Sequence, residues 1–153
     1  MADLVTDATG NDLTYRIIGA AMAVHNEIGT GYKEEVYERA LAVRLDEAGI
    51  GVDRQYPVEV HFHGAPVAVF FLDLYAERLV VVEIKAFSHQ LTGDELAQVI
   101  NYLKATGAPV GLLLNFGRRR LEYRRIFPSR TDDVSSPQRL GRDNVKKRAV
   151  QRS

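Results

Sequence analysis

The chain has 153 residues, 46% of them hydrophobic, and its formal net charge is zero. This length and apolar content suit one domain with one core, while the absence of cysteine excludes disulfides, thiolate metal sites and a cysteine nucleophile. The N-terminus lacks the features of a signal peptide, and no segment approaches the roughly 18 consecutive apolar residues of a membrane span, so we expect a cytoplasmic protein without a membrane partner.

Charge is distributed unevenly along the chain. Residues 118–153 contain twelve of the twenty basic residues and four of the twenty acidic ones, which puts this segment at +8 and residues 1–117 at −8. A basic segment beside an acidic body indicates contact with nucleic acid or another polyanion. A solvated, disordered tail explains the same charges, and both interpretations stay open.

The hydrophobic pattern predicts eight elements in the order ααβββαββ. Apolar residues recur at helical spacing over 13–27 and 33–48, and glycines follow both segments. Strands are then predicted from one alternating segment and from runs of β-branched residues, with a third helix after Gly93. The remaining predicted bounds are 55–62, 67–74 and 79–84 for three strands, 94–106 for the helix, and 110–114 and 121–127 for two further strands.

This order predicts an α/β domain over residues 13–128, in which helices flank a mixed central sheet. The aromatic residues Phe62, Phe70 and Phe71 are interpreted as part of its core. Residues 1–12 are expected to be loose. Residues 129–153 have few apolar side chains and are expected to form a basic, disordered tail.

The clearest chemical signal is a pair of carboxylates near the ends of adjacent strands. Side chains alternate along a strand, so Glu83 and Lys85 share one largely covered face, and a hairpin can bring Asp73 close to Glu83. Such charges are costly to desolvate unless they are paired or metal-bound. Two carboxylates suit Mg²⁺ or Mn²⁺, and a lysine beside them can assist an attacking water. A buried ion pair between Lys85 and either acid is the alternative.

Three helices contribute further polar groups. Glu34 shares a helical stripe with Tyr37 and is expected to face the core. Gln98 and Tyr102 are four residues apart and share one face of the third helix. His25 lies on the core face of the first helix, where hydrogen-bonded packing is the alternative to metal binding.

A cluster of basic residues precedes the last predicted strand. Arg118, Arg119 and Arg120 lie near Tyr123, and arginines interleaved with aromatic rings can bind phosphates and stack on bases. The alternative is a solvated turn beside an edge strand on which positive charge prevents aggregation.

Several short motifs occur in a fixed order along the chain. They are AVHNEIG at 23–29, GYKEEVY at 31–37, VEIKA at 82–86, QVINYLK at 98–104 and LNFG at 114–117. GYKEEVY has the form G-x-x-E-x-x-Y. The stretch from about residue 13 to 127, about three quarters of the chain, resembles the GxxExxY family of the PD-(D/E)XK nuclease-like superfamily. The resemblance implies a restriction-endonuclease-like core.

The resemblance also implies roles for the charged residues. Asp73 and Glu83 would bind the metal, Lys85 would serve the nucleophilic water, and Glu34 would complete the metal shell. In the superfamily motif a proline precedes the aspartate, whereas this chain has Leu72 at that position.

Gln98 and Tyr102 look like the Gln-x-x-x-Tyr motif of the RecB-like exonuclease branch, which supports the site and contacts nucleic acid. His25 corresponds, in this resemblance, to a helical histidine near the metal. The first hypothesis is therefore a Mg²⁺- or Mn²⁺-dependent nuclease acting on DNA or RNA. The alternatives are a catalytically silent nucleic-acid-binding or accessory module with the same fold, and a metal hydrolase acting on a small phosphorylated molecule.

Overall fold

Eight elements form between residues 11 and 128, the residues that the computed structural model describes. They are α1 (Asn11–Ile28), α2 (Glu34–Glu47), β1 (Val52–Phe62), β2 (Ala65–Ala76), β3 (Val80–Lys85), α3 (Gly93–Thr106), β4 (Val110–Asn115) and β5 (Glu122–Ile126). The predicted order ααβββαββ is confirmed. The predicted basic tail at 129–153 and all but the last two residues of the predicted loose N-terminus lie outside the described residues.

The five strands form a mixed sheet in the order β1-β2-β3-β4-β5. β3 and β4 are parallel, because α3 carries the chain back along the sheet between them, and the other neighbouring strands are antiparallel. α1 and α2 pack on one face of this sheet and α3 packs on the other, which confirms the predicted α/β fold. No helix within residues 11–128 is long and apolar enough to cross a membrane.

The helices on the first face form because their apolar residues repeat at helical spacing. α1 fully buries Leu13, Ile17 and Ala21, and α2 fully buries Leu41 and Leu45. Burial of a leucine or isoleucine side chain contributes about 1.5–3 kcal/mol. These stripes therefore hold α1 and α2 against the sheet.

α3 has clear signals at both ends. Its capping box joins Thr92 to Glu95, whose carboxylate accepts a hydrogen bond from the Thr92 backbone N–H at 2.6 Å. Gly107 ends the helix in the left-handed conformation, with φ of 76°. Between these ends α3 packs tightly on β4, because a Cβ at Gly111 would lie 2.5 Å from a methyl group of Val99.

The outer half of the β1–β2 hairpin is covered only in part by the helices. Phe62, Phe70 and Phe71 are 63%, 43% and 54% exposed, so the prediction that they belong to the core is wrong. Buried positions on the two strands begin only at Val58 and Leu72. The apolar pattern predicted the strands, but burial requires a covering element, and the described helices do not bury this part of the hairpin.

Candidate active site

β2 and β3 separate at Asp73. The β2–β3 ladder pairs Ala76 with Val80 and ends at Leu74 and Val82. The next position of β2 is Asp73, whose carboxylate oxygen Oδ2 accepts a hydrogen bond from the backbone N–H of Ile84 at 2.8 Å. The Asp73 side chain thus accepts from a backbone N–H that would have bonded to β2 if the ladder had continued. This hydrogen bond fixes the carboxylate at the point where the two strands separate.

Glu83 lies on the α3 face of β3 and is only 6% exposed. Its Oε2 is 3.6 Å from Nζ of Lys85, and its Oε1 has no hydrogen-bond partner among the described residues. Burial, and then the negative charge of Asp73, raise the pKa of Glu83 to about 8, while Lys85 lowers it and Glu34 adds to the rise. Burial also raises the pKa of Asp73.

The sequence left an ion pair with Lys85 as the alternative to a metal site. This ion pair is present, but it does not give a partner to every carboxylate oxygen of the site. Lys85 is one cation facing two carboxylates whose pKa values are both raised, and its Nζ also donates to Oε1 of Gln98 at 3.5 Å. A structural ion pair normally has hydrogen bonds for its remaining lone pairs. The unpartnered Oε1 of Glu83 is therefore open to a further cation.

The donor set fits a hard divalent cation. Mg²⁺ is usually held by one or two carboxylates and takes its remaining ligands from water and substrate phosphate. Residues 11–128 contain no group of three His, Cys, Asp or Glu side chains arranged to hold a metal by themselves. Asp73 and Glu83 thus fit Mg²⁺ or Mn²⁺ in an open site, and they do not fit a closed structural metal centre.

α3 brings Gln98 and Tyr102 to the same site, as their spacing predicts. Gln98 accepts from Lys85 and hydrogen-bonds the side chain of Tyr102. Tyr102 is 6% exposed. Its burial, followed by the negative charges of Glu83 and Asp73, raises its pKa to about 12, so the hydroxyl stays protonated and can donate a hydrogen bond.

α2 contributes a different carboxylate from the one expected. Glu34 is exposed, so the prediction that it faces the core is wrong. It is the first residue of α2, and it precedes the part of the helix that packs against the sheet. One turn later Glu38 is 5% exposed, and its carboxylate binds Arg54 at 3.1 Å. Glu34 still reaches the site through its charge, which contributes to the raised pKa of Glu83.

Gln55 joins Glu38 to Asp73, and the sequence analysis did not identify either Gln55 or Glu38. The Gln55 amide nitrogen lies 2.9 Å from Oε1 of Glu38 and 3.4 Å from Oδ1 of Asp73. Its φ is 50°, in the left-handed region that costs a non-glycine residue about 1–2 kcal/mol. Such backbone strain is concentrated at functional sites. In the sequence, the available signal for Gln55 was that two polar residues stand directly before the apolar run of β1.

A buried asparagine of the LNFG motif shapes the loop after Lys85. Oδ1 of Asn115 accepts from the backbone N–H of Phe87 at 2.8 Å, and its amide nitrogen donates to the carbonyl oxygen of His89 at 3.1 Å. Gly117 is required beside this loop because a Cβ there would collide with the backbone of Phe87. The motif therefore positions the segment that carries the site lysine.

The tyrosine of G-x-x-E-x-x-Y has a structural position. The Tyr37 hydroxyl donates to the carbonyl oxygen of Gly29 at 2.7 Å, and its ring stacks on Phe116 with centroids 4.7 Å apart. His25 packs against the same phenylalanine, at 6.1 Å. Its Nε2 carries the hydrogen, because it lies 2.9 Å from the carbonyl oxygen of Arg118, which only accepts. The metal-binding role of His25 stays a prediction.

The basic residues lie near His25. They are separate from the carboxylate cluster, which consists of Asp73, Glu83, Lys85, Gln98 and Tyr102. His25, Arg119, Arg120 and Tyr123 are among the residues lining a cavity of about 360 Å³. Arg118 is partly neutralised by Glu122, at 3.5 Å, whereas Arg119 and Arg120 are exposed. The structure thus separates the predicted residues into two groups. One group contains Asp73, Glu83, Lys85, Gln98 and Tyr102, and the other contains His25 with the arginines and Tyr123.

Comparison with known proteins identifies the family. A family model described as the PD-(D/E)XK nuclease superfamily matches residues 11–126. The crystal structure of SSO0001 superposes with a TM-score of 0.50 and 16% identity over 65% of this chain and 52% of that one, so the chain spans about half the length of SSO0001. No curated protein matches the chain. The αα, βββ, α, ββ architecture is restriction-endonuclease-like, and the chain belongs to the PD-(D/E)XK nuclease superfamily.

Proposed function

We propose that the protein is a Mg²⁺- or Mn²⁺-dependent nuclease that hydrolyses phosphodiester bonds in DNA or RNA. The observation that carries the proposal is Glu83 beside Asp73, a buried carboxylate with a pKa of about 8 and one oxygen that has no partner in the described part of the chain. Perturbed acids of this kind are typical of catalytic sites. Membership of the superfamily supports nuclease-type chemistry and does not favour a catalytically silent module.

Asp73 and Glu83 hold the metal in this proposal, and Glu34, at the exposed start of α2, acts on the site through its charge and not as a third direct ligand among the described residues. When bound, the metal polarises the phosphate and lowers the pKa of a water molecule. Lys85, which Gln98 holds beside Glu83, orients that water and offsets negative charge that develops on the phosphate. Tyr102 keeps its proton and donates a hydrogen bond to a substrate oxygen.

Two finer assignments belong to the same proposal. The motifs that contain Glu34, Tyr37 and Asn115 support membership of the GxxExxY family, and Gln98 with Tyr102 supports a relation to the RecB-like branch. Arg118, Arg119, Arg120 and Tyr123 contact the nucleic acid backbone away from the metal. The exposure of Arg119, Arg120 and Tyr123 at one cavity beside α1 supports this role.

The test is cleavage of end-labelled single- and double-stranded DNA and RNA by purified protein with Mg²⁺, Mn²⁺ or EDTA. Glu83→Gln and Lys85→Ala are expected to lower the rate by about 100-fold or more. Glu47→Gln is the matched control, because Glu47 is 61% exposed and, within residues 11–128, its one ion pair is with Arg44 at 3.6 Å. Undiminished cleavage in both site variants would show that this is not the catalytic centre.

A further inference from the structure

A groove runs between the β1–β2 hairpin and α3. The hairpin contributes Val60, His61 and Phe70, α3 contributes Asn101, Lys104 and Ala105, and the groove encloses about 450 Å³. We refer to it as the hairpin groove. None of these residues belongs to the carboxylate cluster, and the nuclease proposal does not use them.

The hairpin groove adjoins the candidate active site through Phe70. Phe70 pairs across the hairpin with Val58, which is buried on the α3 side, so both side chains face α3. The Phe70 ring centroid is 5.9 Å from that of Tyr102, and Tyr102 hydrogen-bonds Gln98, which contacts Lys85. A ligand in the groove therefore lies next to groups of the catalytic cluster.

The lining combines the three kinds of contact that an unpaired nucleotide uses. Phe70 is 43% exposed, and an exposed aromatic ring can stack on a base. The exposed Asn101 can hydrogen-bond a base edge, and the exposed Lys104 can contact a phosphate. The carboxylate of Glu59, the acid in the lining, lies 3.2 Å from Nε2 of His61.

A second aromatic pair, Phe87 and His89, lies beside Lys85. The Phe87 ring centroid is 6.0 Å from Nζ of Lys85, and Phe87 stacks on the exposed His89 with centroids 4.6 Å apart. Aromatic platforms near a hydrolytic centre suit bases that have left the stack. In a duplex both faces of a base are already occupied by its neighbours, so such platforms cannot be used.

We infer that the hairpin groove binds an unpaired nucleotide next to the scissile phosphate, and that the substrate is single-stranded nucleic acid. The inference rests on the proposed nuclease function for the position of the scissile bond. Phe70 stacks on the base and Lys104 contacts the backbone. Since these contacts do not read the sugar, single-stranded DNA and RNA both satisfy the chemistry.

The neighbouring phenylalanine provides a matched control. Phe71 is 54% exposed, but it pairs with Pro57 and so points to the opposite face of the hairpin. Binding of fluorescein-labelled 20-mers of oligo-dT and oligo-U, and of a 20-base-pair duplex, is measured by anisotropy in EDTA. Phe70→Ala is expected to weaken single-strand binding about 5- to 150-fold, whereas Phe71→Ala leaves it unchanged.

Two further variants separate stacking from folding and charge. Phe70→Tyr keeps the ring and is expected to bind like the wild type, while Phe70→Leu, which keeps apolar volume, is expected to bind like Phe70→Ala. Lys104→Ala is expected to reduce the slope of log K against log salt by about 0.7 for oligo-dT. Melting temperatures of all variants show whether each is folded.

Equal affinity of Phe70→Ala and Phe71→Ala for both single strands would overturn the inference, as would duplex binding as tight as single-strand binding. If metal-dependent cleavage persists in that case, the nuclease proposal stands and the groove assignment fails. If single-strand binding depends on Phe70 but no metal supports cleavage, the groove assignment stands and the nuclease proposal fails.

Discussion

Replacement of Glu83 by glutamine is expected to stabilise the metal-free protein. The pKa of Glu83 is raised from its ordinary 4.5 to about 8. In the unfolded chain the group ionises near 4.5, so between these values the folded state binds more protons and stability falls as pH rises. The difference corresponds to about 5 kcal/mol once the pH exceeds 8. Below pH 4.5 the group is protonated in both states and its pKa has no effect on stability.

The glutamine removes this charge but retains polar atoms in a buried place. An unsatisfied buried amide costs about 1–3 kcal/mol, so the net gain for Glu83→Gln at pH 9 is about 2–4 kcal/mol. For a chain of this size that raises Tm by roughly 5 °C or more. At pH 5 most of the gain disappears, and the variant melts at or below the temperature of the wild type.

The assay is thermal unfolding in EDTA at pH 5 and pH 9, followed by circular dichroism, with Glu47→Gln as the exposed control. Saturating Mn²⁺, at 100 times Kd, adds about 2.7 kcal/mol to the wild type and is expected to add little to Glu83→Gln. A variant that is destabilised equally at both pH values would refute the reasoning. Glu83 would then be a satisfied member of a structural ion pair with Lys85.

Three further outcomes are expected. Gln55→Gly removes both the amide next to Asp73 and the strain of the left-handed conformation. We therefore expect the Mn²⁺ affinity measured by calorimetry to fall about tenfold while the stability of the fold changes little. An unchanged affinity would exclude a positioning role for Gln55. Tyr37→Phe loses a 2.7 Å hydrogen bond but keeps its stacked ring. We expect urea denaturation to show a loss of about 1–2 kcal/mol in the free energy of unfolding, with normal Mn²⁺ binding. Weaker Mn²⁺ binding would argue against a purely structural tyrosine. Arg119→Ala with Arg120→Ala lowers the salt slope of oligo-dT binding by about 1.4, whereas a constant slope would favour a solvated turn.

Local periodicity predicted much of this protein before the structure. The alternation of a strand places Glu83 and Lys85 on one face, and a spacing of four places Gln98 and Tyr102 on one face of α3. The element order follows from the same local patterns. Each of these results depends only on the geometry of one element, which the sequence specifies directly.

The tertiary structure decided which of these faces are covered. Glu34 and Glu38 lie one turn apart on α2, but only Glu38 is buried, because β1 supplies Arg54 and Gln55 opposite it. The phenylalanines of the hairpin follow the pattern of a core strand, yet they are exposed because the described helices cover this part of the hairpin only in part. Burial depends on elements distant in sequence, so neither result follows from a local period.

The meeting of Asp73 and Glu83 also required the assembled sheet. The sequence predicted a hairpin, but the separation of its strands follows from the Asp73 carboxylate replacing a ladder hydrogen bond to Ile84. The left-handed conformation of Gln55 likewise exists because its amide has partners on α2 and β2. The sequence by itself determined the chemical groups and their faces. Only packing determined that Glu83 would be left with an unpartnered oxygen, because desolvation is a property of all the surrounding elements together.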